Sequence, residues 1–213
     1  MLLGDIYLNG EGVEEDIEKA VKYYESSAQL MNSKAFNTLG FLYLKGQKVP
    51  KDYTKAFNYF KSAAKLDNVY GYLNLGLLYA SGLGVVKDIN EAEKYFEKII
   101  QFNDPSALVN LGYEYYIGEY IEKDIKKAIK YFKLAAYNGL SDAQYTMGVI
   151  YLEGKYEEKR IEDGLNLIDK SSKNRSTSGM FVNGCLYHKG EFVIPDIDKS
   201  ISYLSTASKN NHS

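Results

Sequence analysis

From Ala35 to Ala64 the chain reads AFNTLGFLYLKGQKVPKDYTKAFNYFKSAA. In its first half Ala35, Leu39, Leu42 and Tyr43 fall on one face at helical spacing. Gly46 ends that helix, because glycine turns left-handed at a C-terminus without a Cβ clash. Gln47 to Lys51 forms a loop that tucks Val49 inward. Asp52 then stands where an N-cap belongs, its carboxylate accepting from the free N–H groups of a second helix. That helix shows Ala56, Tyr59, Phe60, Ala63 and Ala64 as a second apolar stripe. The stretch is therefore a pair of helices, A and B, joined by a short loop.

The pair recurs along the whole sequence. Gly4, Gly40, Gly76, Gly112, Gly148 and Gly184 stand 36 residues apart, and so do Gly10, Gly46, Gly82, Gly118, Gly154 and Gly190. Between them runs Tyr7, Tyr43, Tyr79, Tyr115, Tyr151, Tyr187. Asp16, Asp52, Asp88, Asp124 and Asp196 keep the register, which only Arg160 breaks. Val13, Val85, Ile121 and Val193 match Val49. A fixed period of this length marks stacked helical hairpins, since one hairpin cannot bury its own stripes. The chain reads as one all-α domain over residues 1–213, a solenoid of six units and about twelve helices. Its units are 1–32, 33–68, 69–104, 105–140, 141–176 and 177–213.

The glycine in the middle of helix A needs a physical reason, because Gly there costs ~1 kcal/mol relative to Ala. We expect helix B to cross helix A at that point, near small Ala56, so that a Cβ would push the pair apart. Gly76→Leu should then destabilise the fold by ~1–3 kcal/mol.

Composition closes off several functions. The 213 residues carry a net charge of -2, so electrostatics favours neither nucleic acid nor an anionic membrane. The 24 lysines and two arginines are spread along the units as a solvated face. One cysteine excludes an internal disulfide, and Cys185, His188 and His212 are too few for a Cys/His zinc site. Nothing approaches the ~18 apolar residues of a membrane span. No cofactor is expected.

The motif Ala-x-x-x-Leu-Gly-x-x-Tyr-x-x-Gly, followed by Asp-x-x-x-Ala-x-x-Tyr-Phe-x-x-Ala-Ala, resembles the Sel1-like repeat. It is carried by Ala35, Leu39, Gly40, Tyr43, Gly46, Asp52, Ala56, Tyr59, Phe60, Ala63 and Ala64. The related tetratricopeptide repeat has 34 residues and a shorter loop. The resemblance implies a right-handed α/α superhelix acting as an adaptor or scaffold in signalling, membrane-protein quality control or host interaction. A cysteine-rich bacterial branch pairs cysteines within each repeat, and this chain departs from it.

The units are uneven. Met1 aligns with Asn37, so the first helix A is short and leaves Leu2, Leu3 and Ile6 near an open end. That end suits a partner, a second copy in a homo-oligomer, or the remainder of a longer chain. In the fifth unit Arg160, Gly164, Ser171 and Ser172 replace Asp, Ala, Ala and Ala. In the sixth, Gly179 and Asn183 stand where Ala35 and Leu39 do in the second. The last two units are expected to be the least stable.

The resemblance places helix A on the concave face. One groove position holds Leu2, Thr38, Asn74, Asn110, Thr146 and Val182. Asn74 and Asn110 suit an extended peptide backbone, because an amide both donates and accepts. Phe41, Leu77, Tyr113, Tyr116, Tyr145 and Phe181 are neighbouring groove positions, and tyrosine buries a large area with few rotors. In the run Tyr113 to Tyr120, Tyr115 belongs to the packing series, which leaves Tyr113, Tyr116 and Tyr120 spare. Packing between neighbouring units is the competing role for these aromatics. The candidate partner-binding set is Thr38, Phe41, Asn74, Leu77, Asn110, Tyr113, Tyr116, Tyr145 and Thr146.

Enzymatic readings rank low. Cys185 and His188 share a helix face but lack an orienting third group. Gly10-Glu-Gly12 and Gly82-Leu-Gly84 lack the third glycine, the preceding strand and the Lys-Ser/Thr pair of a phosphate loop. No pair of acidic residues is singled out for hydrolysis. The sequence thus points to a non-enzymatic, cytoplasmic scaffold that binds a protein or peptide, without nucleic acid or membrane insertion. The alternative is a repeat-bearing part of a larger protein whose activity lies elsewhere, and a hydrolase ranks behind both.

Overall fold

A computed structural model describes residues 1–210, so His212 lies outside the described residues. Among the described residues twelve helices follow one another: α1 Leu2–Asn9, α2 Ile17–Gln29, α3 Ser33–Lys45, α4 Tyr53–Lys65, α5 Val69–Ser81, α6 Ile89–Phe102, α7 Pro105–Ile117, α8 Ile125–Tyr137, α9 Ser141–Glu153, α10 Ile161–Lys173, α11 Thr177–Lys189 and α12 Ile197–Asn210. Odd numbers are the A helices and even numbers the B helices. Helix α1 has 8 residues where α3 has 13, and Leu2 is 74% exposed.

The helices group into two compact units. The first holds Met1–Phe102 with Glu119–Glu122, and the second holds Asn103–Gly118 with the chain from Lys123 on. Within each, an A helix packs on its own B helix and the B helix on the next A helix. Successive A helices also meet, α3 with α5 in the first unit and α9 with α11 in the second. The core follows the two stripes. Ala35, Leu39, Ala56, Phe60 and Ala63 are fully buried in the first unit, as are Ala107, Leu108, Leu111, Ala128 and Ala135 in the second.

The crossing of each hairpin explains its mid-helix glycine. A Cβ on Gly40 would lie 2.6 Å from the Phe60 ring, one on Gly76 2.6 Å from Phe96, and one on Gly112 2.6 Å from Phe132. Tyr24, Ile168 and Leu204 fill the same place over Gly4, Gly148 and Gly184. The crowding is thus mainly by the large side chain 20 residues on. The small residue beside it contributes its carbonyl oxygen, 3.3 Å away for Ala92 and Ala128.

The A–B loop is closed in the same way six times. The N–H of Asp16, Asp52, Asp88, Asp124, Arg160 or Asp196 donates to the carbonyl of the ladder tyrosine nine residues earlier, at 2.9–3.1 Å. All five aspartates accept from the N–H three residues on, at 2.9–3.0 Å, as N-caps do. Arg160 makes no cap bond. Val49, Val85, Ile121 and Val193 are half-buried under their loops, while Val13 is exposed.

A second ring from the B helix supports five of the six ladder tyrosines. Tyr7 stacks on Tyr23, Tyr43 on Tyr59, Tyr79 on Tyr95, Tyr115 on Tyr131 and Tyr187 on Tyr203, with centroids 5.6–6.1 Å apart. Burial, and then the nearby Glu25 carboxylate, pushes the Tyr59 phenol up to about 12. Burial and a 2.6 Å hydrogen bond to Asp67 push Tyr72 up to about 12 as well.

The B–A turns share a left-handed residue. Met31, Asp67, Asn103, Gly139 and Arg175, again 36 apart, all have positive φ. At Met31, Asp67, Gly139 and Arg175 paired N–H···O bonds close a Schellman turn over the end of the B helix. Asn32, Asn68, Asp104 and Ser176 then cap the next A helix with their side chains.

The polar replacements in the last two repeats are matched to one another. Ser171 Oγ donates to the Ser141 carbonyl at 2.7 Å, and Asn183 Nδ2 donates to Ser172 Oγ at 2.8 Å. Gly179 leaves the room that Ser171 needs, because a Cβ there would lie 2.4 Å from its Oγ.

Candidate functional site

The A helices of the second unit bring four of the candidate residues together. Tyr113 and Tyr116 of α7 and Tyr145 and Thr146 of α9 line one cavity of about 270 Å³, floored by Ile129 and Phe132 of α8. Tyr113 and Tyr116 are 42% and 41% exposed. The Tyr113 ring meets Phe132 edge-on at 5.1 Å, which fixes its plane. Thr146 Oγ1 donates to the Asp142 carbonyl at 2.8 Å, which leaves its methyl as the larger remaining surface. Tyr145 also lines a neighbouring opening of about 510 Å³ with Phe181, which is exposed.

Tyr156, in the fifth repeat's A–B loop, completes the cavity wall. It lies outside helix A, the element whose spacing marks the other groove positions. The available signal was an aromatic residue at one loop position in each of the last three repeats, Tyr120, Tyr156 and Phe192. Lys155 Nζ sits 5.0 Å from the Tyr156 ring centre and Lys123 Nζ 5.4 Å from that of Tyr116. Both cations stand over rings, as ammonium groups are drawn to π-faces. A hydrogen bond with Tyr156 holds the Lys155 ammonium above its ordinary pKa. The cavity offers aromatic faces and a few hydroxyls.

In the first unit, Thr38 and Phe41 of α3 line a cavity of about 370 Å³ with Leu8, Lys45 and Lys48. Phe41 is 49% exposed. Lys45 Nζ lies 3.3 Å from Tyr120 Oη and 3.7 Å from a Glu119 carboxylate oxygen, so this spare tyrosine is engaged within the first unit. Asn74 is half-buried, and its Nδ2 donates to Asn37 Oδ1 at 3.0 Å, tying α5 to α3. Leu77 is buried, 6% exposed. Asn110 is exposed on α7 and lines none of these cavities. The candidates thus divide into two clusters, with Asn74, Leu77 and Asn110 outside both.

Cys185 is half-buried and His188 exposed on α11. Among the described residues no group of three or more His, Cys, Asp or Glu side chains could hold a metal ion. No described helix is long and apolar enough to cross a membrane.

Comparison with known proteins gives these hairpins their class. The Sel1 repeat model matches residues 1–30, 38–68, 69–101, 105–140, 141–172 and 179–212, one match per unit. The chain belongs to the Sel1 repeat family, and its fold is that family's α/α solenoid. A Sel1 repeat protein from Oxalobacter formigenes is 30% identical, with a TM-score of 0.67 over 97% of this chain and 83% of that one. The protective antigen c5321 of uropathogenic Escherichia coli, with an SLR fold, is 27% identical, with a TM-score of 0.60 over 98% of this chain but 45% of that one. Immunity protein Pa5087 of Pseudomonas aeruginosa, at 23% identity and a TM-score of 0.59, covering 90% of this chain and 73% of that one, shares the fold. No curated protein matches the sequence. Sel1 repeats commonly serve as non-catalytic protein-interaction modules.

Proposed function

We propose that this chain is a non-enzymatic adaptor whose six repeats act as one domain and hold a segment of a partner protein along the A helices. The observation that carries this is the cluster of Tyr113, Tyr116, Tyr145 and Thr146 around one apolar cavity. Its volume of about 270 Å³ suits one bulky side chain of a peptide or helix, and partly exposed tyrosines are the residues that bind most per rotor frozen. Thr38 and Phe41 offer a second anchor point in the first unit. Asn110 is free to meet the backbone of the bound segment, while Asn74 must exchange its bond with Asn37 to do so. We assign the adaptor to the cytoplasm, with end-to-end pairing of copies through α1 as a secondary association.

The test is partner recovery from native extract with the parent chain and with Tyr113→Ala/Tyr145→Ala. A photo-crosslinker at Asn110 identifies what lies on the A-helix face. Recovery should fall about tenfold or more in the double variant, as for hot-spot truncation. Equal recovery, or crosslinks made only elsewhere, would exclude this face.

A further inference from the structure

The second unit carries another surface, built from its B helices. Lys126, Lys130 and Lys133 recur at helical spacing along α8, so they share a face. Lys170 of α10 lines the same trough, whose volume is about 830 Å³. Its floor is apolar, formed by Ile129, Leu134, Met147 and Leu167. Tyr137 stands at its edge, 90% exposed. Glu157 is the one acidic residue in the lining, and it is held by Lys133 at 2.8 Å. Lys126, Lys130 and Lys170 are exposed and form no ion pair among the described residues. Helix α8 contains four lysines and no acidic residue, whereas α6 contains three glutamates. The trough is therefore a local cationic patch on a chain of net charge -2.

An apolar floor under a cationic rim specifies its ligand on two counts. The floor rewards burial of aliphatic or aromatic side chains at ~25 cal/mol per Å². The rim favours carboxylates, and it repels basic or uniformly polar segments. Inorganic anions lack the first feature and basic peptides the second. We propose that this trough docks an acidic amphipathic segment of a partner protein, apolar side chains down and carboxylates against Lys126, Lys130 and Lys170. Its volume falls within the ~300–1,000 Å³ of ordinary binding clefts, enough for several side chains at once. The lysine rim lies on α8 and α10 and lines no part of the A-helix cavity, which shares only Ile129 with the trough, so substitutions at the rim test the trough alone.

The full chain is titrated into a fluorescein-labelled amphipathic peptide of about four helical turns, Leu on one face and Glu on the other, read by anisotropy. Saturable binding is expected at low salt, weakening about tenfold or more in ~0.5 M salt. Lys126→Glu/Lys130→Glu/Lys170→Glu should weaken it at least about tenfold, and the triple Lys→Arg variant should retain it. Tyr137→Ala, which removes one exposed ring and leaves the lysines in place, should weaken it about threefold or more. These side chains are exposed, and circular dichroism checks that the fold is kept. Absence of saturable binding, equal binding of the Glu→Gln peptide, or equal binding by the triple Glu variant overturns the proposal. So does equally tight binding of single-stranded DNA of the same charge, which would make the patch a general polyanion surface.

Discussion

A Cβ on Gly76 would lie 2.6 Å from Phe96 Cε1, 3.0 Å from Cδ1 and 3.3 Å from the Ala92 carbonyl. The first contact is one that real Cβ atoms do not make, and neither the buried Phe96 ring nor the backbone of α6 has room to retreat. A larger side chain therefore forces the hairpin open. Gly76→Ala should destabilise the protein by ~1–3 kcal/mol even though alanine has the better helix propensity, and Gly76→Leu by at least as much. Urea denaturation gives the answer. A midpoint unchanged or raised by the alanine would mean that propensity outweighs crowding at this crossing. The requirement for glycine was legible from six coincident glycines, but the identity of the opposing atom was not. Periodicity tells which positions are fixed, and only packing tells which side chain occupies the space between them.

At the scale of the element, the fifth repeat shows how a broken motif keeps part of its physics. In four other repeats Asp caps helix B and the Lys three residues on lies over the ladder tyrosine, as Lys55 does over Tyr43 at 4.9 Å and Lys127 over Tyr115 at 5.2 Å, while the third has Glu91 there. In the fifth repeat the charges are exchanged. Arg160 pairs with Asp163, and its guanidinium lies 4.8 Å from the Tyr151 ring centre. The cation over the ring survives while the cap is lost. Restoring the usual order with Arg160→Asp/Asp163→Lys should stabilise the protein by ~1 kcal/mol, the value of a typical N-cap. Arg160→Asp alone should gain less, since it sets two carboxylates three residues apart and leaves Tyr151 without its arginine. Thermal melts of the two variants decide this, and a double variant no more stable than the single one refutes the charge-exchange account. The A–B loop, its cap and both helix ends were readable because each rests on a residue type that the backbone demands. The B–A turn was not readable, because Met31, Asp67, Asn103 and Arg175 adopt positive φ without the glycine that would announce it. The A-helix cavity was half readable: tyrosines at helical spacing marked Tyr113, Tyr116 and Tyr145, while Tyr156 arrives from a loop. The lysine-rimmed trough was missed because it depends on two B helices 36 residues apart in sequence.

For the whole molecule, stability should vary from repeat to repeat, because each hairpin draws its burial from itself and its sequence neighbours. The second to fourth repeats hold both helix caps or a full apolar core with stacked tyrosines. The fifth has no side-chain cap on either helix, since Leu140 and Arg160 make no cap bond. It has Leu167 where the other repeats place the second tyrosine of the stack. Its B helix buries Ser171 and Ser172 where Ala63 and Ala64 stand in the second repeat. Those hydroxyls are hydrogen-bonded, and so is Asn183 against Ser172, which avoids the cost of unpaired buried groups. Satisfied polar pairs still return less than the apolar contacts they replace, because their gain is offset by the water each group gives up. Amide hydrogen exchange should accordingly find α9 to α12 opening at lower free energy than α5 to α8. The gap should be of order 1–2 kcal/mol, the sum of the missing caps. Ser171→Ala should not close it, because that change removes only the bond to the Ser141 carbonyl and supplies neither missing cap, whereas restoring the cap at Arg160 should narrow it. Exchange in which α5 to α8 open first would show that the paired serines and Asn183 make the last two repeats the firmer part of the array.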